Sequence, residues 1–508
     1  MPRSNIQAGC FSGLSLRNLL HRRCQSVSSS KEPFRTPAES KDIPRSVVGG
    51  VDLELKHHSN HHGACFGAQE DWILEPDTPP SYSASSFYEV EDVKDAGLSA
   101  DIIQTIEKKV DELNPELREL SQEMLGHPEL AFEEYFAHDI LVNFMAKHGF
   151  QVTRNYAGLE TAWRAEYSVG TGGRVLGVNS EMDALPGIGH ACGHNLIAIS
   201  GCGIAVAIKA ALVAHCIPGK VIILGTPPEE SVGGKIILLE KGAYKEMDVC
   251  LMSHPSAGAI GSVSNGTTTS SQTMYVDFTG KAAHAAAAPW EGKNALDAAV
   301  ISYSAISALR QQLKPDVRVH GIIEGKNWRA NTIPDNSRLT YIVRSPSKVE
   351  MMEVASRVTG CFEAAASATG CTVKIAMMSP YFDLVQNSVL GREFAKNARC
   401  RYDMTTHMAG SGASTDFGNV SYEIPSLHPL YAIPTEPNGG NHTPAFARSA
   451  ATQEAHDATM KVTKGLALTG FRVLHDAAFF TEVKTAFEND MKAHAGNRRH
   501  HNECLIAA

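Results

Sequence analysis

The segment GIGHACGHN, residues 187–195, places a thiol between two imidazoles, because Cys192 lies two residues after His190 and two before His194. Thiolate, imidazole and carboxylate are ligand types that zinc accepts. Side chains of these types also follow other apolar segments, and the candidates are Glu181, Asp183, Cys192, His194, Glu229, Glu230 and His254. A sulfur in a central position can bridge two ions, and this is the role we expect for Cys192.

A pair of metal ions polarises a carbonyl group and lowers the pKa of bound water to about 7. The reaction also needs a general base that takes the water proton and delivers it to the leaving nitrogen. The segment GTPPEES offers two adjacent glutamates, Glu229 and Glu230, which could divide this work between coordination and proton transfer. The residues therefore predict amide hydrolysis by activated water, without a covalent enzyme intermediate.

Predicted strands and helices alternate through the part of the chain that carries these residues. RVLGVNSE, KVIILGT and DVCLM are short apolar strands, and HNLIAISGCGIAVAIKAALVAHC is a long helix whose glycines and alanines indicate close packing. Near-continuous apolar strands predict an α/β fold, with a mostly parallel sheet covered by helices on both faces. Ligands of such sheets bind at the carboxyl ends of the strands, so we expect the candidates to meet at one edge.

The pattern changes at residues 266–382, where the predicted order is strand, helix, strand, strand, helix, strand. This is the split βαβ arrangement, and it predicts an inserted α+β, ferredoxin-like domain. The insertion divides a catalytic domain into residues 96–265 and 383–486, and residues 487–508 form a polar tail. Residues 1–95 are predicted to be a disordered extension; the first thirty, rich in serine and arginine and without an acid, are typical of a mitochondrial transit peptide.

Composition narrows the function classes. The 508 residues carry a net charge of −9 and no basic stripe, so we expect no nucleic-acid partner. No apolar run approaches the roughly 20 residues that span a bilayer, so no membrane segment is predicted. The 11 scattered cysteines fit a reducing compartment. The expected location is the cytoplasm, or the mitochondrion if the amino-terminal segment is a targeting peptide.

Seven motifs carry a resemblance to a known family. They are EMDALPGIGHACGHN, GTPPEES, SHPS, GKAAHAAAAPWEGKNALDA, NTIPDNSRLTYIVR, GASTDFGNVS and GGNHTP. In order and spacing, from about residue 100 to 485, the chain resembles the aminoacylase and carboxypeptidase G-type dinuclear zinc peptidases, the M20 peptidase family. It is most similar to the branch with aminobenzoyl-glutamate hydrolases, auxin-conjugate amidohydrolases and a β-alanyl-lysine dipeptidase.

The resemblance implies a site with two divalent ions per subunit. Cys192 would bridge them, in place of the aspartate that most of the family uses. His194 and His254 would complete one ligand set, and Glu230 and His442 the other. Zinc is the expected metal, with manganese and cobalt as alternatives.

The resemblance also implies roles in catalysis. Glu229 would be the general base, and Asp183 would orient a metal ligand. Glu181 lies where many members have a ligating histidine, so its role stays open. Asn195 replaces the acid of the CGHD motif found in many relatives, and this departure puts metal affinity or substrate preference in question.

The inserted domain resembles the family's lid and dimerisation domain, which implies a homodimer. His284 would reach the active site of a neighbouring subunit and stabilise the oxyanion, assisted by Asn331. Arg344 would bind a substrate carboxylate, and Gly412 would give a backbone contact.

The predicted function is therefore a metal-dependent dipeptidase or amidohydrolase acting on dipeptides or N-acyl amino acids. Two alternatives stay open: a thiol hydrolase with Cys192 as nucleophile, and a catalytically silent dimeric binding or scaffold protein. A nucleotide-binding interpretation of GCGIAV fails, because its glycines lie inside a predicted helix.

Overall fold

The computed structural model describes residues 97–506, with side chains as far as residue 494. The predicted amino-terminal extension, residues 1–95, lies outside the described residues. The helices are α1 Ala100–Gly126, α2 Tyr135–Lys147, α3 His194–Ala214, α4 Gly234–Glu240, α5 Ala295–Leu309, α6 Lys348–Thr369, α7 Ser388–Tyr402, α8 Phe417–Ser421, α9 Pro444–Ala450, α10 Gln453–His475 and α11 Ala477–Ile506. Ser99 caps α1 by accepting a hydrogen bond from the Ile102 amide, so ordered helix begins where the sequence predicted it.

The strands form three separate sheets. They are β1 Gln151–Arg154, β2 Trp163–Val169, β3 Arg174–Glu181, β4 Gly219–Thr226, β5 Val249–Leu251, β6 His254–Ala257, β7 Ser262–Ser264, β8 Ser270–Thr279, β9 Arg318–Glu324, β10 Asn336–Ser345, β11 Thr372–Met377, β12 Thr405–His407, β13 Ser426–Leu427 and β14 Leu430–Ile433.

The central sheet has the strand order β1-β2-β4-β3-β5-β13. β4, β3, β5 and β13 run parallel, and β1 and β2 add an antiparallel edge. Consecutive residues of β4 from Val221 to Leu224 are fully buried, as expected for a strand covered on both faces. The predicted α/β fold with a mostly parallel sheet is confirmed.

Helix α3 forms the apolar centre of this domain, packed against α1, α10 and β3. Its glycines permit close approach: a Cβ on Gly201 would lie 2.8 Å from the Asn179 carbonyl oxygen, and one on Gly203 would lie 2.9 Å from Thr463 Cγ2. By length and composition α3 could cross a membrane, which corrects our expectation that no apolar run is long enough. Within the structure, however, 83% of the most apolar 18-residue stretch of α3 is buried, as in the core helix of a globular domain.

The inserted domain has the predicted order β8-α5-β9-β10-α6-β11. Its four strands pair antiparallel in the order β11-β8-β10-β9, which is the ferredoxin-like arrangement. The two helices pack on one face of the sheet, where Tyr341 and Phe362 meet edge to face with their ring centroids 5.5 Å apart. This domain therefore has a hydrophobic core of its own.

A third sheet, β12-β7-β14-β6, was not predicted. Each of its strands has only three or four residues, too few to show a period of two in the sequence. The sheet matters for the site because β6 begins at His254. Helix α11 continues through most of the predicted polar tail, as far as Ile506.

Candidate metal centre

The candidate side chains lie where the central strands end. β3 ends at Glu181, and Asp183 follows two residues later. β4 ends at Thr226, immediately before the loop that carries Glu229 and Glu230. Because β3 and β4 are parallel neighbours, both loops emerge at the same edge of the sheet. The structure thus brings together the residues that strand-end reasoning had grouped.

Gly193 allows Cys192 and His194 to approach the same point. Its φ of 82° is left-handed, and a Cβ on this residue would lie 2.5 Å from Cγ of Pro255. Any side chain here would therefore be strained and would collide with the segment that follows His254. α3 begins directly afterwards, so His194 occupies the first position of a helix that is anchored in the core.

Two ligand triads share the Cys192 sulfur. Ligand atoms of Cys192, His194 and His254 all lie within 4.8 Å of one another, and the same holds for Cys192, Glu230 and His442. The sulfur lies 3.3 Å from Nε2 of His254. His254 uses its other ring nitrogen, which lies 2.7 Å from the Pro255 carbonyl oxygen, so Nε2 faces the sulfur.

The donor atoms of these triads fit metal ions. Nε2 of His194 is buried without a hydrogen-bond partner, and Oε1 of Glu230, also buried, lies 3.1 Å from Nε2 of His442. Buried polar atoms without partners are rare and point to an ion that satisfies them. Three imidazoles, a thiolate and a carboxylate are also a suitable donor set for zinc.

Asp183 orients the first of these ligands. One of its carboxylate oxygens lies 3.0 Å from Nδ1 of His194, and the other accepts a hydrogen bond from the Glu230 amide at 3.1 Å. Although burial opposes ionisation, His194 lowers the pKa of Asp183 to about 2. Asp183 therefore leaves Nε2 of His194 free to bind a cation, and it positions the Glu230 loop at the same time.

The two adjacent glutamates have opposite electrostatic environments. Burial raises the pKa of Glu229 well above its ordinary value, and the carboxylates of Glu181 and Glu230 add to the shift. For Glu230 burial has the same tendency, but His442 and His194 outweigh it and lower the pKa. The excess of buried negative charge around Glu229 is a further feature that divalent cations would compensate.

The triads open into a cavity of about 510 Å3. Cys192, Glu229 and Glu230 line one part of it, and Arg344 and Gly412 line another. Nη1 of Arg344 donates a hydrogen bond to the Ser414 hydroxyl at 2.8 Å, which holds the guanidinium in the cavity wall. A carboxylate bound to Arg344 would thus lie in the same cavity as the metal ligands.

His284 and Asn331 lie elsewhere. Both are exposed on the inserted domain and are absent from the cavity lining, and they adjoin each other, since the Ala285 amide donates to the Asn331 carbonyl. Nδ1 of His284 lies 3.1 Å from the Ala287 amide. Their predicted action on a second subunit therefore stays a prediction.

Asn195 points away from the ligands. It is fully buried, and its amide nitrogen donates to Ser121 Oγ at 2.9 Å and to the Ala450 carbonyl at 3.3 Å. This side chain joins α3 to α1 and α9, so the departure at Asn195 does not place a neutral amide among the candidate ligands.

The sequence reasoning did not single out Tyr381, Lys235 or Asp416. Tyr381 lines the cavity, and its hydroxyl donates to the Glu229 carbonyl oxygen at 2.6 Å. Lys235 and Asp416 form a buried network with Glu181. Asp416 belongs to the quoted motif GASTDFGNVS, whereas Tyr381 and Lys235 gave no signal in a single sequence.

Residues 267–369 match the family model of the M20-type peptidase dimerisation domain. The chain is 41% identical over 396 residues to the Xaa-Arg dipeptidase of Mus musculus, covering 75% of this chain and 91% of the relative. The human Xaa-Arg dipeptidase is 39% identical over 403 residues, covering 75% and 90%. The chain belongs to the M20 peptidase family.

Solved structures of M20 peptidases share this fold. A dinuclear metal-binding M20 peptidase from Bacillus subtilis aligns with a TM-score of 0.54 at 19% identity, covering 72% of this chain and 99% of that one. The aminobenzoyl-glutamate utilization protein from Klebsiella pneumoniae aligns with a TM-score of 0.59 at 16% identity, covering 73% and 99%. At these identities the likeness supports the fold alone.

Proposed function

We propose that this M20 amidohydrolase is a dipeptidase that uses two zinc ions to cleave dipeptides with a free terminal carboxylate. The observation that supports this proposal most directly is that two candidate ligand triads share the Cys192 sulfur, in the same cavity as Arg344. Dipeptides ending in arginine are the first substrates to test, because the mouse and human relatives are Xaa-Arg dipeptidases. N-acyl amino acids are the second class.

In this mechanism Cys192, His194 and His254 would hold one ion, and Cys192, Glu230 and His442 would hold the other. When bound, the ions supply Lewis acidity and a water of lowered pKa. Glu229 takes the proton from the attacking water and delivers it to the leaving nitrogen.

The substrate is held by groups on the other side of the cavity. Arg344 binds the terminal carboxylate and so positions the scissile amide. Gly412, exposed in the loop that Thr269 holds through its hydroxyl, offers a backbone contact. His284 of a second copy, supported by Asn331, stabilises the oxyanion, and the match to a peptidase dimerisation domain supports such a homodimer.

The thiol-hydrolase alternative fits the site less well. Cys192 is buried, and burial raises the pKa of its thiol, whereas a nucleophilic cysteine needs a lowered pKa. A silent scaffold is also disfavoured, because Glu229, Glu230 and His442 all lie at the cavity.

The test is a panel of dipeptides and N-acyl amino acids, assayed with metal analysis on the same sample. We expect hydrolysis of dipeptides, two ions per chain, and loss of activity on chelation that added zinc reverses. Alkylation of the metal-loaded protein should leave activity intact, since the sulfur is a ligand. Hydrolysis that survives chelation but stops on alkylation would replace this proposal with the thiol mechanism.

A further inference from the structure

Lys235 is a lysine without solvent exposure. A fully buried lysine is rare unless its charge is paired. Its ammonium lies 2.5 Å from Oε1 of Glu181 and 2.6 Å from Oδ1 of Asp416, and both carboxylates are also fully buried. We call these three residues the lysine clamp.

The clamp joins three segments of the candidate site. Glu181 is the last residue of β3 and precedes the segment that leads to Cys192. Lys235 follows the loop that carries Glu229 and Glu230, and its backbone amide donates to Oδ2 of Asp416 at 2.8 Å. Asp416 ends the glycine-rich loop that contains Gly412. The ammonium and the backbone amide of Lys235 therefore hold the loop that carries Glu229 and Glu230 between the other two segments.

One end of the clamp faces the metal ligands. Oε2 of Glu181 has no hydrogen-bond partner and lies 3.4 Å from Nε2 of His194. Asp183 already occupies the other ring nitrogen of His194. With two carboxylates and one ammonium, the clamp keeps one negative charge in excess, and Glu181 turns an oxygen toward the nitrogen that would bind a cation.

The other end of the clamp supports the carboxylate side of the cavity. Ser414, two residues before Asp416, accepts the hydrogen bond from Arg344. Thr269 fixes the same loop by donating from its hydroxyl to the Gly412 and Ala413 carbonyls at 3.1 Å. The loop that positions Arg344 is therefore connected to His194 through Asp416, Lys235 and Glu181.

We propose that Lys235 is a positioning residue that sets the separation between the metal ligands and Arg344, and so restricts hydrolysis to substrates of dipeptide length. This inference rests on the proposed function. Errors of about 1 Å in the placement of reacting groups can cost about 100-fold in rate, so a connection of this kind would affect catalysis without touching substrate.

Lys235→Met alone leaves two buried carboxylates unpaired and can fail to fold. The test therefore uses three other variants. Asp416→Asn keeps the shape of the clamp and removes one charge. The pair Lys235→Met with Asp416→Asn removes one charge of each sign. Glu393→Gln is the matched control, since Glu393 forms a buried ion pair with Arg472 at 2.6 Å outside the cavity lining.

Each variant is measured in two ways: the visible absorption spectrum of the cobalt(II)-loaded full chain, and kcat and KM for a dipeptide and for the tripeptide extended at its amino terminus. We expect both clamp variants to shift the cobalt bands, to raise KM for the dipeptide by about tenfold or more and to narrow the preference for the dipeptide over the tripeptide. The control should lower the melting temperature and leave these readouts unchanged.

The inference is overturned if the clamp variants match the control both in cobalt spectrum and in the ratio of dipeptide to tripeptide hydrolysis. Lys235 would then have a role in folding alone. Failure of the proposed function looks different, because the wild-type chain would then bind cobalt but hydrolyse no dipeptide. In that case the cobalt spectrum still decides whether the clamp orders the metal ligands, and an unshifted spectrum overturns it.

Discussion

The catalytic domain buries several of its candidate residues, whereas the inserted domain exposes His284 and Asn331. Glu181 and His194 have no solvent exposure and Asp183 has 1%, while His284 and Asn331 lie on the surface away from the cavity. The buried residues are held by contacts within one chain, and together they carry an excess of negative charge that cations would compensate. The exposed pair does not line the cavity of its own chain, which motivates the proposal that a second copy completes the site.

The largest effect should come from the buried set. Glu229→Ala removes the proposed base, and we expect turnover to fall by up to about 10⁴-fold while both metal ions are retained. Metal content and kcat are measured on the same preparation. Glu230→Ala is the matched comparison and should lose an ion; the opposite pattern in the two variants would show that the glutamates are assigned the wrong way round.

The exposed set should give the next largest effect. His284→Ala should lower kcat by about 10²- to 10³-fold, as for loss of an oxyanion donor. Mixed with Arg344→Ala subunits under conditions of exchange, it should recover to about one quarter of the wild-type activity, because half of the dimers then carry one complete site. Absence of recovery, with exchange verified, would mean that the two residues act in the same chain or not together.

A smaller effect should separate the carboxylate contact from the chemistry. Arg344→Lys keeps the charge but loses the paired hydrogen bonds, so KM should rise about 10- to 100-fold with kcat little changed. Arg338→Lys is the control, since Arg338 lies on the same strand in an exposed ion pair with Asp277. Equal KM changes in both variants would remove the special role of Arg344.

The smallest effect concerns stability. Burial raises the pKa of Glu134 to about 7, so the stability it contributes is present below its ordinary pKa of 4.5 and is lost as pH rises through 7. Raising the pH from 4 to 8 should therefore lower the unfolding free energy of the wild type by about 3 kcal/mol more than that of Glu134→Gln. Denaturant unfolding at both pH values measures it.

Asp277 in the inserted domain provides the contrast. Its hydrogen bond with Arg338 lowers its pKa, so its contribution is present above its ordinary pKa and is lost only as pH falls. Asp277→Asn should show no gain relative to the wild type as pH rises. If Asp277→Asn gained as much unfolding free energy relative to the wild type as Glu134→Gln, the assignment of the Glu134 effect to burial would be contradicted.

The sequence sufficed for features that rest on periodicity and local motifs. The strand and helix order of the inserted domain, the start of α1 after Ser99, and the meeting of Cys192, His194 and Glu230 at one sheet edge all follow from such signals. The third sheet could not be predicted, because its strands are too short to show a period. The clamp could not be predicted either, because Lys235 and Asp416 are far apart in sequence and meet only through tertiary packing.

Asn195 illustrates a further limit. The preceding residue, His194, is a candidate ligand, yet the Asn195 side chain points into the core, since successive residues at a helix start face different directions. Adjacency to a motif therefore did not give adjacency to the metal site.

The loop around His442 has a consequence for how the protein becomes active. His442 adopts a left-handed φ of 67°, unusual for a residue with a side chain, and its amide donates to the Ala191 carbonyl at 2.9 Å. His442, the last of the proposed ligands, thus lies in a late segment of the chain, whereas the other proposed ligands come much earlier. A nascent polypeptide, or a proteolytic fragment ending before this residue, would lack one ligand of the second proposed triad, so we expect activity to appear only after translation has passed it.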